Sequence, residues 1–113
     1  MHDLTSDEVI PELLSSGIVA TLLSLVRVSN TEVQLHATGA LRSCARLDEC
    51  INYIRENGGL EVLLDLLRDS PDVEVQKCAA GALKECSRNV KAQVALQQLG
   101  GLDLIHLKYP VLK

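Results

Sequence analysis

The sequence predicts an all-α fold made of repeated three-helix units stacked as a solenoid. Three observations carry this reading. The stretch EVQLHATGALRSC at 32–44 returns as EVQKCAAGALKEC at 74–86, 42 residues later. The intervening segments place apolar residues at helical intervals and show none of the alternation of a half-buried strand. Gly17, Gly59 and Gly101 punctuate the chain at the same 42-residue interval. In such an array one unit cannot bury its apolar face alone, and stacking joins the faces into a continuous core.

The elements follow in order. SDEVIPELLSSG reads as the tail of a preceding unit, with Pro11 near a helix start. The first full unit is expected to hold helices over 17–28, 30–46 and 48–57, closed by Gly58 and Gly59. In the second, GGLEVLLDLLRDS sets Leu60, Leu63, Leu64 and Leu67 on one helical face. Pro71 disfavours helix at Ser70 and ends that element. Asp72 is placed to cap a long helix running to about 88, with Glu74 in its first turn. NVKAQVALQQLGG gives a short helix stopped by Gly100 and Gly101, and GLDLIHLKYPVLK begins another unit that halts at Pro110. LLSLVRVS at 22–29 matches LLDLLRDS at 63–70 with an offset of 41, a slip recovered before Glu32 and Glu74. The chain thus divides into 1–16, the end of a preceding repeat; 17–58 and 59–100, two full repeats; and 101–113, the start of a further, truncated one. Gly59 and Gly101 are expected at tight turns that use positive φ.

On a helical wheel, at about 100° per residue, Val33, Ala37, Ala40, Leu41 and Cys44 share one face of the first long helix. Val75, Ala79, Ala82, Leu83 and Cys86 repeat it one unit later, and their small side chains allow close helix approach. The opposite side carries Leu35, Gly39, Arg42 and Arg46, then Lys77, Gly81, Lys84 and Arg88, with Glu32, Glu74 and Glu85 on or beside it.

The 113 residues are 47% apolar yet contain no Phe or Trp and two Tyr, so the core is built from Leu, Val, Ile, Ala and Cys. The net charge of -4 and the missing aromatic platforms argue against nucleic acid and anionic lipid as partners. MHDLTSDEVIPELL lacks a basic, apolar leader, and GIVATLLSLV is too short to span a bilayer, so a cytoplasmic location is expected. Cys44, Cys50, Cys78 and Cys86 form no C-x2-C pair; they read as small buried hydrophobes in a reducing compartment, with no metal or cofactor expected.

GGLEVLLDLLRDSPDVEVQKCAAGALKECSR resembles an armadillo repeat, with its Gly pair, short apolar helix, turn and long helix of the A-x-x-A-L type. The resemblance covers about 17–107. It implies a right-handed superhelix of three-helix repeats, whose third helices line a concave groove for extended peptides, and a scaffold or adaptor role. The basic helix side would then face the groove. Arg42, Ser43, Arg46, Lys77, Lys84, Glu85 and Arg88 become the candidate partner-binding residues, for an acidic or mixed protein segment. Import receptors of this family grip basic peptides with a Trp and an Asn four residues later. Those positions are Gly39 with Ser43 and Gly81 with Glu85 here, which argues against that mechanism. The Cys in ALRSC and ALKEC, where Leu is usual, is similar to axonemal armadillo proteins that dock outer dynein arms; this implies an alternative ciliary or cytoskeletal role as a segment of a larger assembly.

No enzyme is expected. His2, His36 and His106 are isolated, and His36 aligns with Cys78 at a half-buried packing position. NGGL and LGGL are inter-repeat turns rather than phosphate loops, and no nucleophile sits beside a base. Two full repeats with open end faces would also favour self-association.

Overall fold

The computed structural model describes residues 17–108, with side-chain environments through Ile105. Pro11 and Pro110, and the elements read around them, lie outside the described residues. Seven helices follow one another among the described residues, with no strand between them: α1 (Ile18–Leu25), α2 (Thr31–Cys44), α3 (Asp48–Glu56), α4 (Gly59–Asp69), α5 (Val73–Cys86), α6 (Val90–Gln98) and α7 (Gly101–Lys108). The two long helices, α2 and α5, pack against each other; α1 covers α2, and α4 covers α5. The short helices α3 and α6 form a second contact between successive units. This is the expected all-α solenoid with three helices per repeat.

The long helices start where local chemistry dictates. Asp72 accepts a hydrogen bond from the Val75 amide at 3.1 Å, as its position before the apolar run implies. Asn30 does the same for Val33 at 3.0 Å, and Asn89 for Ala92 at 3.2 Å. The repeated glutamine of EVQ also has a task. Gln34 Nε2 donates to the Val26 carbonyl at 3.3 Å, and Gln76 Nε2 to the Ser70 carbonyl at 2.6 Å. Each ties a long helix back to the end of the helix before it. Ser70 is extended, with ψ 133, consistent with the restriction imposed by Pro71.

The glycine expectation needs a correction. Positive φ belongs to Gly17, Gly58 and Gly100, at 78°, 76° and 73°, and not to Gly59 or Gly101, which begin α4 and α7. The bend is made by the first glycine of each pair. The second is required for a different reason: a methyl group at Gly59 would lie 2.5 Å from Ile54 Cγ2 and 2.9 Å from the Ile54 carbonyl oxygen. Gly17 therefore corresponds to Gly58, which is the 41-residue offset of the apolar stretch that follows. The extra residue of the second unit is Pro71, between Ser70 and the capping Asp72.

The core runs continuously through both units. Leu60, Leu63, Leu64 and Leu67 are all buried, as their spacing predicts. Leu41 and Leu83 are fully buried. In α5 the predicted face, Val75, Ala79, Ala82, Leu83 and Cys86, is buried, and Ala80 and Gly81 join it. In α2 only Ala37 and Leu41 of the predicted face are buried; Val33, Ala40 and Cys44 are half-buried. The difference is one of neighbours, since α5 lies between α2 and α4. Tyr53, the one aromatic side chain among the described residues, packs on the core and lines a recess with Leu23, Arg27 and Asn57.

Thr38 is an exception to the apolar lining. Its side chain is fully buried and its hydroxyl has no hydrogen-bond partner among the described residues, whereas the matching position of the next repeat is Ala80. An unsatisfied buried hydroxyl costs about 1–3 kcal/mol. Thr38→Val keeps the shape and removes the polar atom, so it is expected to raise stability by about 1 kcal/mol in urea unfolding. A loss of stability would show that the hydroxyl is satisfied in solution.

Candidate interaction groove between the long helices

Gly39 lies three and four residues before Arg42 and Ser43, and Arg46 lies four and three residues after them, so α2 and the turn beyond it present all four on one side. Cys78 and Glu85, seven apart on α5, face them across a cleft of about 360 Å³. The cleft walls are mainly polar side chains, and its two guanidinium groups outnumber its one carboxylate.

The candidate residues fall into two groups. Arg42, Ser43, Arg46 and Glu85 are brought together in this cleft. Lys77, Lys84 and Arg88 are not among its lining residues. Lys77 is exposed and lies 4.0 Å from Glu74. Lys84 is half-buried rather than exposed. Arg88 reaches back one repeat: its Nη2 donates to the Ala45 and Arg46 carbonyls, each at 3.4 Å, and its Nε lies 3.8 Å from Glu85 Oε2. The last carbonyls of a helix have no partner within it, so Arg88 acts as a C-terminal cap for α2 supplied by the neighbouring unit. By contrast, neither Arg42 nor Arg46 has a carboxylate within 4 Å among the described residues.

The two groove glycines also differ. A methyl group at Gly39 would meet nothing within 4 Å among the described residues, which leave the cleft floor open there. At Gly81 a methyl group would lie 2.6 Å from Arg42 Nε, 2.8 Å from its Cζ and 2.9 Å from its Cδ. Gly81 is buried because the Arg42 side chain lies across it. A wheel of an isolated helix places Gly81 on the side opposite the core because it contains no neighbouring helix.

Cys78 was missed as a groove residue, although its alignment with His36 marked the position. His36 itself is exposed, against the half-buried expectation. Cys50 and Cys86 are buried, while Cys44 and Cys78 are half-buried, and all four are free thiols. Burial pushes the Cys50 thiol up to about 11, helped by its proximity to Cys44, and the Cys86 thiol up to about 12. Burial also raises Cys78, against the pull of Arg42. A buried acid with a raised pKa binds its proton more tightly in the folded state, so its contribution to stability is complete below the ordinary thiol value of 9.0. That contribution is lost as pH climbs from there toward about 11 for Cys50 and about 12 for Cys86. The urea midpoint is therefore expected to be lower at pH 10 than at pH 8, and the difference to shrink in a Cys50→Ala, Cys86→Ala double variant. An equal drop in the double variant would assign the effect to other groups.

Among the described residues no cluster of three or more His, Cys, Asp or Glu side chains is arranged to hold a metal ion, and no helix is long and apolar enough to cross a membrane. Stacked three-helix units with a shallow polar cleft between their long helices define a helical-repeat protein of the kind that typically binds other proteins. The family is settled by comparison. The armadillo/β-catenin-like repeat model matches residues 6–46 and 48–88, two windows 42 residues apart that cover most of the chain, and the chain belongs to that family. Two crystal structures of engineered proteins from the Northeast Structural Genomics Consortium are similar to it. Both are 39% identical over 88% of this chain, with TM-scores of 0.80 and 0.79. The chain spans 40% and 24% of the lengths of those two proteins. No curated protein matches it.

Proposed function

We propose that the protein is a noncatalytic interaction module that binds an extended acidic or mixed segment of a partner protein along the groove of α2 and α5. The observation that supports this reading is the cleft lined by Arg42 and Arg46, neither of which has a carboxylate partner among the described residues. Two unneutralised guanidinium groups on one helix side, above an open glycine floor, favour an acidic side chain on a strand-like backbone. Ser43 adds a hydrogen-bonding hydroxyl. Glu85, on the facing wall, suits a donor or a basic residue elsewhere in a mixed segment. Lys77 and Lys84 flank the cleft and contribute to the longer-range field. Arg88 belongs to the fold as much as to the groove. Cys44 and Cys86, which carry the axonemal resemblance, occupy packing positions and bear on the core rather than on a partner.

The test begins with affinity capture and mass spectrometry to obtain a partner, followed by binding of an Arg42→Glu, Arg46→Glu variant. Both side chains are exposed, so the helical content and melting temperature should persist. Association is expected to slow strongly and to lose much of its salt dependence. Unchanged binding by an intact double variant would move the interaction to the end faces or the outer helices.

A further inference from the structure

We propose that Arg42 is the specificity-determining residue of the groove: it rests across Gly81 in the free protein and turns onto an acidic side chain of the bound segment, uncovering the glycine for the partner's backbone. The inference rests on the groove reading above and specifies how recognition takes place. Three observations carry it. First, the contact is made by the far end of the Arg42 side chain, with Nε, Cζ and Cδ all within 3 Å of where a methyl group at Gly81 would sit. Glycine is unfavourable in the middle of a helix, and here any larger residue would have to push aside the guanidinium from the neighbouring repeat. Second, no carboxylate among the described residues holds Arg42 in place, unlike Lys77 beside Glu74 or Arg88 beside Glu85. Its resting position is therefore a packing contact that a stronger partner can replace. Third, the equivalent Gly39 is open among the described residues, so the groove they form has one free and one covered floor position, one repeat apart. A carboxylate offers the guanidinium a planar, two-pronged match that a glycine Cα cannot. An acidic side chain beside a small residue is therefore the chemistry that both recruits Arg42 and uses the space it vacates.

The experiment uses a fluorescein-labelled peptide of alternating glutamate and glycine, titrated against the wild-type protein and variants, with helicity and melting temperature confirming each fold. Wild type is expected to bind saturably. Arg42→Gln should weaken binding about tenfold or more and reduce the salt slope by roughly one charge, and Arg42→Lys should recover part of the loss. Gly81→Ala displaces the resting guanidinium and fills the floor, so it should weaken binding several-fold. In the Arg42→Gln background the same change should have a clearly different effect, because the two positions act through one contact. If Arg46→Gln weakens binding while Arg42→Gln and Gly81→Ala leave it unchanged, the role given to Arg42 is overturned and the groove stands. If the wild type shows no saturable binding up to about 1 mM, or binding is indifferent to both arginines, the groove reading falls and this inference with it.

Discussion

Leu83→Ala is expected to destabilise the protein by about 2–5 kcal/mol. Leu83 is fully buried on α5, the helix packed between α2 of the first unit and α4 of its own. Truncation removes apolar surface from the core and leaves a cavity that small neighbours such as Ala79 and Ala82 cannot fill by changing rotamer. In a stacked array each unit is stabilised by its own core and by its contact with the next, and Leu83 belongs to the core cluster that runs through both. Urea unfolding followed by circular dichroism measures the effect. A cost under about 1 kcal/mol would mean that α5 does not hold the two units together in solution. Leu41→Ala, one repeat earlier, is expected to fall in the same range, since Leu41 is also fully buried.

Gly59→Ala should be the next most damaging change, despite adding a single methyl group. That group would sit 2.5 Å from Ile54 Cγ2, 2.8 Å from Leu23 Cδ2 and 2.9 Å from the Ile54 carbonyl oxygen. Side chains can turn aside, but the carbonyl belongs to the backbone of α3 and cannot move without shifting that helix. Overpacking of this kind typically costs about 1–3 kcal/mol, and the fixed backbone places the expectation toward the upper end. Gly58→Ala is the control. It meets only Arg27 Nη2, at 3.7 Å, so its cost arises from positive φ alone and is expected near 1 kcal/mol. If the two variants were equally stable, the tight packing between α3 and α4 would be in error.

These two glycines show how far the sequence could be read. The pair was visible, and so was its role as a boundary. Which member bends and which is pressed against Ile54 depends on residues brought together only by folding. The helices themselves were legible because their signals are local: a capping Asp72 after Pro71, and Leu60, Leu63, Leu64 and Leu67 at helical spacing. The armadillo resemblance rested on the same local pattern. The cleft was legible in part. A wheel places Arg42, Ser43 and Arg46 on one side of a helix, but it has no second helix. It could not show Arg42 lying over Gly81, Arg88 bound to the Ala45 and Arg46 carbonyls, or Cys78 in the facing wall. Each of these contacts joins positions in successive repeats, more than thirty residues apart in the chain.

Tyr53 gives the molecule a built-in optical reporter. The chain has no Trp and two Tyr, so its near-ultraviolet emission comes from Tyr53 and Tyr109 alone. Tyr53 sits against the core beside Leu23, where α1 and α3 meet. With Tyr109→Leu removing the other source, emission would follow the opening of the first unit specifically. Circular dichroism would follow helix throughout the chain. Coincident curves from the two signals would mean that both units melt as one, and separated curves would give the order in which they come apart.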